Sequence, residues 1–391
     1  MSRDLTSVVM PIPALQWGGL FGVLVALDAP LRDRGYAQSV LVPLGAEAVR
    51  DRLADHGIDV HCVDLPRLRR SPSASLKTLM QLPGALRALK ALPVVQRADL
   101  FQAVGVHHPH APYMSWAMGK PLIWQLHSDS VSGPFRRIAH EVISRKQDGV
   151  MANGGRIGKV FLGDSFGSGN HGTFFPPVAV QDFAPDDAAR QAARAALGVA
   201  EDELLVCTIG NRGWQKNHAL LIEAVRRAAP QLPKLRVVVA GGDVAGFEET
   251  YRQEVLAPAE ALNGERPGLV SFGRIQSPQV PDRMRAADLF VLSSHSEGIP
   301  LVVAEAMAAA TPVISTDVGS IVEVLPETCG RIVPPGDADA LSRALVDLGR
   351  DPALRARMSA AALAHSATAF SAEAAADSHA AVYAKALAKN R

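Results

Sequence analysis

Cysteine is scarce in this sequence. Its 391 residues include only Cys62, Cys207 and Cys329. They lie far apart and match no metal-binding spacing, so their pattern does not support a zinc site. Each lies at or near a predicted strand, which favours small buried apolar side chains. Such cysteines indicate a reducing setting, and we expect a cytoplasmic protein.

An excess of charge and long apolar runs are also lacking. The formal net charge is +1, from 40 basic and 39 acidic residues, which gives no global attraction to nucleic acid or to a membrane. No apolar run approaches the roughly 20 residues of a spanning helix. The N-terminal residues lack the apolar core of a signal peptide. The length predicts two domains of ordinary globular composition.

What the chain does contain is an alternation of apolar strands and amphipathic helices. This pattern predicts α/β domains with doubly wound parallel sheets. A proline-punctuated stretch at 173–185 has the extended character of a connection between two domains. The predicted strands are 6–10, 39–43, 58–62, 100–104, 121–126 and 148–153 before this stretch, and 204–209, 235–240, 268–272, 289–293, 312–315 and 330–333 after it.

The residues from 293 to 308 form the most informative stretch. A buried strand is followed by a polar loop with Glu297, and Pro300 is predicted as the first residue of a helix that runs to about 310 and carries Glu305. Ligands of open parallel sheets bind at the carboxyl ends of strands, and helix N-termini bind phosphate. The two carboxylates would accept hydrogen bonds from hydroxyl groups. Phosphate and hydroxyls together indicate a sugar nucleotide.

Other strand ends carry further candidates. Arg212 and Lys216 follow one strand and would neutralise a diphosphate, with a solvated charged loop as the alternative. Gly18 and Gly19 open the first helix, where backbone could approach a ligand closely or simply turn. His127 ends another strand as a site residue or a satisfied core histidine. The pair Arg274 and Ile275 follows a strand of the second half and could border a base.

Three other patterns have weaker functional interpretations. The sequence around Ser165 matches G-x-S-x-G, but the residues after it cannot form the helix that a hydrolase elbow needs. The cluster His107, His108 and His110 has no metal-ligand spacing. The segment from Arg67 to Arg97 is basic and amphipathic, which fits either contact with an anionic membrane or a solvated helix face.

The chain resembles the retaining glycosyltransferases of the GT-B fold, in particular glycosyltransferase family 4. The resemblance covers essentially the whole chain, strongly in the second half and weakly between about residues 44 and 120. It is carried by Ser296-Glu-Gly-Ile-Pro-Leu-Val-Val-Ala-Glu-Ala-Met-Ala308, Gly210 with Lys216-Asn217, Ala240-Gly-Gly242, Asp288-Leu-Phe-Val-Leu292, Ala310-Thr-Pro-Val-Ile-Ser-Thr-Asp-Val-Gly319, Gly18-Gly19, His127 and residues 176–185.

The resemblance implies two Rossmann-like domains facing across a cleft. Residues 1–182 would form an acceptor-binding domain completed by a C-terminal helix at about 371–391, and residues 186–370 a donor-binding domain. The donor would be a nucleoside-diphosphate sugar, with UDP the expected nucleotide. A hexose would pass to a hydroxyl of a glycan, lipid-linked or small-molecule acceptor, with retention and without a metal cofactor. Nucleic acid is not an expected partner.

The resemblance also implies roles for individual residues. Glu305 would bind the ribose hydroxyls, and His127 would touch the donor sugar near its reacting carbon. Lys216 and Arg212 would hold the diphosphate, closed over by the glycine pair. The donor sugar and its phosphate would be held by Glu297 and by the backbone after it, at Gly298, Ile299 and Leu301. One departure concerns Arg212, because the family's arginine directly follows the glycine, where this chain has Asn211.

Two alternatives stay open at this point. The chain could be a nucleotide-sugar epimerase or hydrolase of the same fold, which would need no acceptor. It could also be a donor-binding subunit without catalytic activity. The sequence does not identify the base, the sugar, the acceptor or the oligomeric state.

Overall fold

Each half of the chain folds around its own parallel β-sheet. The computed structural model describes residues 5–66, 72–106, 108–127, 133–145 and 147–390. The chain divides into unit 1, formed by Met1–Pro177 and Ala372–Arg391, and unit 2, formed by Val178–Ser371. The sequence analysis places the division at 182–186 and the return to the first domain at about 371.

Unit 1 contains seven parallel strands in the order β3-β2-β1-β4-β5-β6-β7. Apolar runs such as Leu122–Leu126 are buried along their whole length, as expected for strands covered on both faces. The strands are β1 (Thr6–Pro11), β2 (Tyr36–Pro43), β3 (Asp59–Val63), β4 (Leu100–Val104), β5 (Leu122–Leu126), β6 (Gly149–Ala152) and β7 (His171–Thr173). The helices before residue 177 are α1 (Gly19–Asp33), α2 (Glu47–Asp55), α3 (Pro72–Ala91), α4 (Pro93–Gln96), α5 (His110–Met118), α6 (Gly133–Arg145) and α7 (Gly155–Leu162).

Unit 2 contains six parallel strands in the order β10-β9-β8-β11-β12-β13. The strands are β8 (Leu204–Ile209), β9 (Leu235–Ala240), β10 (Val270–Gly273), β11 (Leu289–Leu292), β12 (Val313–Thr316) and β13 (Gly330–Val333). The helices are α8 (Val180–Phe183), α9 (Asp187–Ala196), α10 (His218–Ala228), α11 (Glu248–Tyr251), α12 (Ala257–Glu265), α13 (Val280–Ala286), α14 (Leu301–Ala308), α15 (Ile321–Val324), α16 (Ala338–Arg350) and α17 (Pro352–Ala369).

The last helix, α18 (Ala372–Lys389), packs within unit 1 against α1, β6 and β7. Arg34 Nε donates to Asp377 Oδ1 at 2.7 Å, and the Tyr383 hydroxyl donates to the buried side chain of Gln102. Tyr383 also meets the ring of Tyr36 edge-on, with 5.2 Å between ring centroids. The C-terminal segment therefore contributes directly to the core of unit 1.

The prediction of parallel α/β sheets in both halves is confirmed, and two local expectations are wrong. Unit 1 has a seventh strand, β7, which the sequence analysis missed because it is three residues long and follows a glycine-rich loop. Pro300 precedes α14 instead of opening it, because its ψ of 121° is extended. The helix ends at Ala308, since Ala310 has a left-handed φ of 55°.

The described part of the chain contains no helix with the length and apolar character needed to cross a membrane.

Candidate functional site

The loops after β8 and β11 lie at the topological switch point of unit 2. β8 and β11 are neighbours, while β9 and β10 extend the sheet on one side and β12 and β13 on the other. Loops that leave the carboxyl ends of such a strand pair diverge and leave a crevice, which is where open α/β sheets bind ligands. Residues 210–217 and 293–300 form these two loops.

An ion pair joins the two loops across this crevice. Lys216 Nζ donates to Glu297 Oε1 at 2.7 Å. Ser294 Oγ donates to the same oxygen at 2.8 Å, and Gln215 Nε2 lies 3.4 Å from Glu297 Oε2. Glu297 is only 7% exposed, so its carboxylate depends on these donors for the hydrogen bonds that water would otherwise supply. The structure brings together two predicted site residues that are 81 positions apart in sequence.

Local backbone geometry places Lys216 at this point. Lys216 ends a short 3₁₀ turn, Trp214–Lys216, and Asn217 then takes a left-handed φ of 45°. Asn tolerates this conformation, and its side chain also caps α10 by accepting from Leu220 N–H at 3.4 Å. Gly210 makes room for the lysine side chain, because a Cβ at this position would lie 2.9 Å from Lys216 Cε.

The loop after β12 packs against the loop that carries Glu297. The Ser320 N–H donates to the Gly298 carbonyl at 3.0 Å. Gly319 has a φ of +55°, and a Cβ there would lie 2.1 Å from the Gly298 oxygen. Only glycine fits this contact without a backbone shift. Of the predicted backbone ligands that follow, Ile299 is buried and Leu301 is the first residue of α14.

Glu305 lies in the second turn of α14. Burial raises the pKa of its carboxyl from 4.5 to about 7, because the charged form loses hydration. Among the described residues, neither a hydrogen-bond donor nor a cation offsets this effect of burial. The carboxyl is therefore poised between its neutral and charged forms near neutral pH.

Arg212 and Arg274 meet at a different place, at the carboxyl ends of β8, β9 and β10. Both contact Asp243, Arg212 Nη1 at 3.2 Å and Arg274 Nη2 at 2.7 Å. Arg212 Nη2 also donates to the Gly273 carbonyl at 3.3 Å, and its guanidinium lies 5.8 Å from the centroid of the Phe272 ring. Through Asp243 and the Gly273 carbonyl, Arg212 is thus connected to the segment with the predicted base-binding residues Arg274 and Ile275.

The predicted residues of unit 1 lie at the carboxyl edge of its own sheet. Gly18 is the N-cap of α1 and Gly19 its first residue, and a Cβ on Gly18 would meet open space. His127 follows β5, where its ring meets Phe174 edge-on at 6.1 Å between centroids. Burial lowers the pKa of His127 to about 4, with a smaller contribution from His379 on α18. The imidazole is therefore neutral at neutral pH.

The weaker sequence patterns gain no support. Ser165 lies in a 3₁₀ turn after α7, and its Oγ donates to the Leu162 carbonyl at 2.5 Å, so the strand that a nucleophile elbow requires is missing from this place. His107 lies outside the described residues, as do Arg67, Arg69 and Arg70 of the basic segment. Among the described residues, no group of three or more histidine, cysteine or acidic side chains is arranged to hold a metal ion.

Sequence reasoning missed five side chains of the site. Gln215 and Ser294 bind Glu297, and Asp243 holds the two arginines. His295 stacks on Trp214 at the rim of the same crevice. Each lies within three residues of Lys216, of Glu297 or of the glycines that follow β9, which was the available indication. Which side chains of other loops they contact depends on strand order, which the sequence does not show.

One segment of the chain matches the model of a known protein family. Residues 189–365 match the model of the family "Glycosyl transferases group 1". This segment of the chain is therefore similar to the group 1 glycosyltransferases. The match covers the predicted donor residues of unit 2, from Arg212 to Glu305.

Two curated relatives of this chain are both named D-inositol 3-phosphate glycosyltransferase. The protein of Streptomyces avermitilis is 35% identical over 226 residues, which are 55% of this chain and 47% of the relative. The protein of Streptomyces scabiei is 30% identical over 299 residues, which are 69% of this chain and 65% of the relative. The chain thus spans about half of the first relative and less than two thirds of the second.

Among solved structures, the Anabaena protein Alr3699/HepE superposes on nearly the whole chain. Its complex with UDP has a TM-score of 0.77 at 21% identity and covers 97% of this chain and 100% of its own. Its complex with UDP-glucose has a TM-score of 0.74 at 20% identity and covers 95% and 97%. At this identity the likeness establishes the fold alone, which is the GT-B fold that the sequence predicts.

Proposed function

We propose that this protein transfers a hexose from a nucleoside-diphosphate sugar, with UDP as the nucleotide, to a hydroxyl group of an acceptor. The observation that carries the proposal is the Lys216–Glu297 pair at the switch point of unit 2. A cation for a diphosphate and a carboxylate for sugar hydroxyls stand side by side there. The family match and the UDP-bound neighbours support the same donor class.

Lys216 and the start of α14 would stabilise the leaving diphosphate. As the bond between the sugar carbon and the phosphate oxygen breaks, negative charge grows on the diphosphate. A lysine ammonium and free helix N–H groups stabilise that charge without a metal ion. We therefore propose transfer without a metal ion. Arg212 would contribute by leaving Asp243 and binding the diphosphate.

The two glutamates would bind different hydroxyl groups of the donor. Glu297 would accept from the transferred sugar and Glu305 from the ribose. Both are held in place before ligand binding, Glu297 by its three donors and Glu305 by α14. Sugar hydroxyls would supply the donors that Glu305 lacks.

The transfer itself would proceed with retention at the sugar carbon. The acceptor hydroxyl would attack from the face that the diphosphate leaves and give its proton to the departing phosphate oxygen. No covalent nucleophile is needed for this step. His127, neutral because of its burial, would hydrogen-bond to the donor sugar near the reacting carbon.

The acceptor is the least determined part of the proposal. The two curated relatives are named for D-inositol 3-phosphate, which makes it the first small acceptor to test. Glycans and lipid-linked sugars are the other classes. Arg87, Lys90 and Arg97 of the basic segment are exposed, so we also propose peripheral contact with the anionic inner face of the membrane.

A two-step assay tests this function. Thermal shift with UDP-, GDP- and ADP-sugars identifies the donor, and release of the nucleoside diphosphate is then followed with and without acceptor in EDTA. We expect stabilisation by UDP-hexoses and release that depends on acceptor. Release without acceptor would favour a hydrolase or epimerase. Binding without any release would favour a non-catalytic donor-binding subunit, and binding of no nucleotide sugar would refute the proposal.

A further inference from the structure

A stacked aromatic pair lies at the rim of the Lys216–Glu297 crevice. The rings of Trp214 and His295 are 4.8 Å apart between centroids and inclined by only 21°. Trp214 is 62% exposed, and His295 is exposed as well. The packing of the core therefore does not explain a tryptophan at this position.

The pair occupies corresponding positions in the two loops. Lys216 follows Trp214 by two residues, and Glu297 follows His295 by two residues. The stack thus joins the loops at positions with the same separation in sequence, two residues, from Lys216 and from Glu297. Both side chains are exposed, so the stack lies at the protein surface.

Hydrogen bonds to backbone carbonyls join the loops between the stack and the ion pair. The His295 N–H donates to the Gln215 carbonyl at 2.8 Å, and Gln215 Nε2 donates to the Ser296 carbonyl at 2.9 Å. A third bond joins the same two loops, since Ser293 Oγ donates to the Lys216 carbonyl at 2.9 Å. These three hydrogen bonds hold the two loops together between the stack and the ion pair.

We propose that Trp214 and His295 are positioning residues that clasp the two loops together and so hold Lys216 and Glu297 in register. A lysine side chain loses considerable rotamer freedom when it is fixed. Loops that are already joined reduce the reorganisation needed when charge develops on a bound diphosphate. In its link to nucleotide binding, the clasp rests on the function proposed above.

Hydrogen exchange tests the clasp without any ligand. Trp214→Leu should speed amide exchange in both loops, 210–217 and 293–300, while β8 and β11 keep their protection. His295→Ala should have the same effect. Trp214→Phe, which keeps an aromatic ring, should retain most of the wild-type protection. Trp116→Leu is the matched control, because Trp116 is 70% exposed on α5 of unit 1. Unchanged exchange at 293–300 in Trp214→Leu would overturn the clasp.

UDP titration tests whether the clasp acts through the lysine. Trp214→Leu should weaken UDP binding about 3- to 10-fold, the loss of a stacked aromatic pair expressed as an equilibrium constant. This effect should disappear in a Lys216→Met background. An equal effect in both backgrounds would overturn positioning through Lys216. If the wild type does not bind UDP but both loops exchange faster in Trp214→Leu, the clasp is supported and the proposed function fails.

Discussion

Replacing Glu305 by glutamine isolates the energetic effect of one partly buried carboxylate. The variant keeps the size and the hydrogen-bonding capacity of the side chain but cannot ionise. Burial in unit 2 raises the pKa of the Glu305 carboxyl from 4.5 to about 7, and no cation of the described residues compensates its charge. Ionisation of the wild-type side chain should therefore destabilise the fold, and the variant should escape this penalty.

The size and sign of the effect follow from the two pKa values. A shift from 4.5 to about 7 corresponds to about 3 kcal/mol, at about 1.4 kcal/mol for each pH unit. The folded state binds the Glu305 proton more tightly than the unfolded state does. Protonation of Glu305 therefore stabilises the fold fully below pH 4.5, and this stabilisation is lost as the pH rises through about 7. Glu305→Gln should thus be more stable than wild type by about 3 kcal/mol at pH 8 and nearly equal to it at pH 4.

Thermal unfolding at pH 4, 6 and 8 measures this difference. For a domain of this size, about 3 kcal/mol corresponds to a Tm increase of roughly 6–12 °C at pH 8. Glu327→Gln is the matched control, because it removes an exposed glutamate of the same unit and should change little at any pH. A Glu305→Gln variant with the same Tm difference at pH 4 and pH 8 would refute the argument from burial.

Three further substitutions test the geometry of the site. Lys216→Met leaves the Glu297 carboxylate without its cation, so it should lower the unfolding free energy by about 1–3 kcal/mol, and adding Glu297→Gln should recover most of this loss in a double-mutant cycle. Glu297→Gln alone should reduce turnover about 100-fold or more with little change in UDP affinity, and unchanged turnover would remove Glu297 from the mechanism. Gly319→Ala should lower the Tm and weaken UDP binding, since its Cβ would lie 2.1 Å from the Gly298 oxygen; a variant as stable as wild type would contradict this packing.

Apolar patterning predicted the framework of both sheets. The strands β4, β8, β9 and β13 begin and end where the sequence places them, because short apolar runs bounded by polar residues are typical of buried parallel strands. The strand β7 escaped prediction because its three residues contain no apolar run. Its place in the sheet depends on pairing with β6, which is not a local property.

The sequence predicts the residues of the candidate site but not their pairings. The loop and helix after β11 predict two hydroxyl-binding carboxylates, and the loop after β8 predicts a diphosphate-binding lysine. That Lys216 and Glu297 contact each other follows from the adjacency of β8 and β11, which sequence periodicity does not encode. The contacts of Asp243 with Arg212 and of Trp214 with His295 escaped prediction for the same reason.

Titration calorimetry of UDP in EDTA, with the wild type and Lys216→Met side by side, tests the central claim most directly. We expect the wild type to bind UDP without a divalent metal and the variant to bind it at least about tenfold more weakly, because the variant loses the cation that is proposed to bind the diphosphate. Equal affinity in the two proteins, or binding by the wild type only after a divalent metal is added, would contradict this claim.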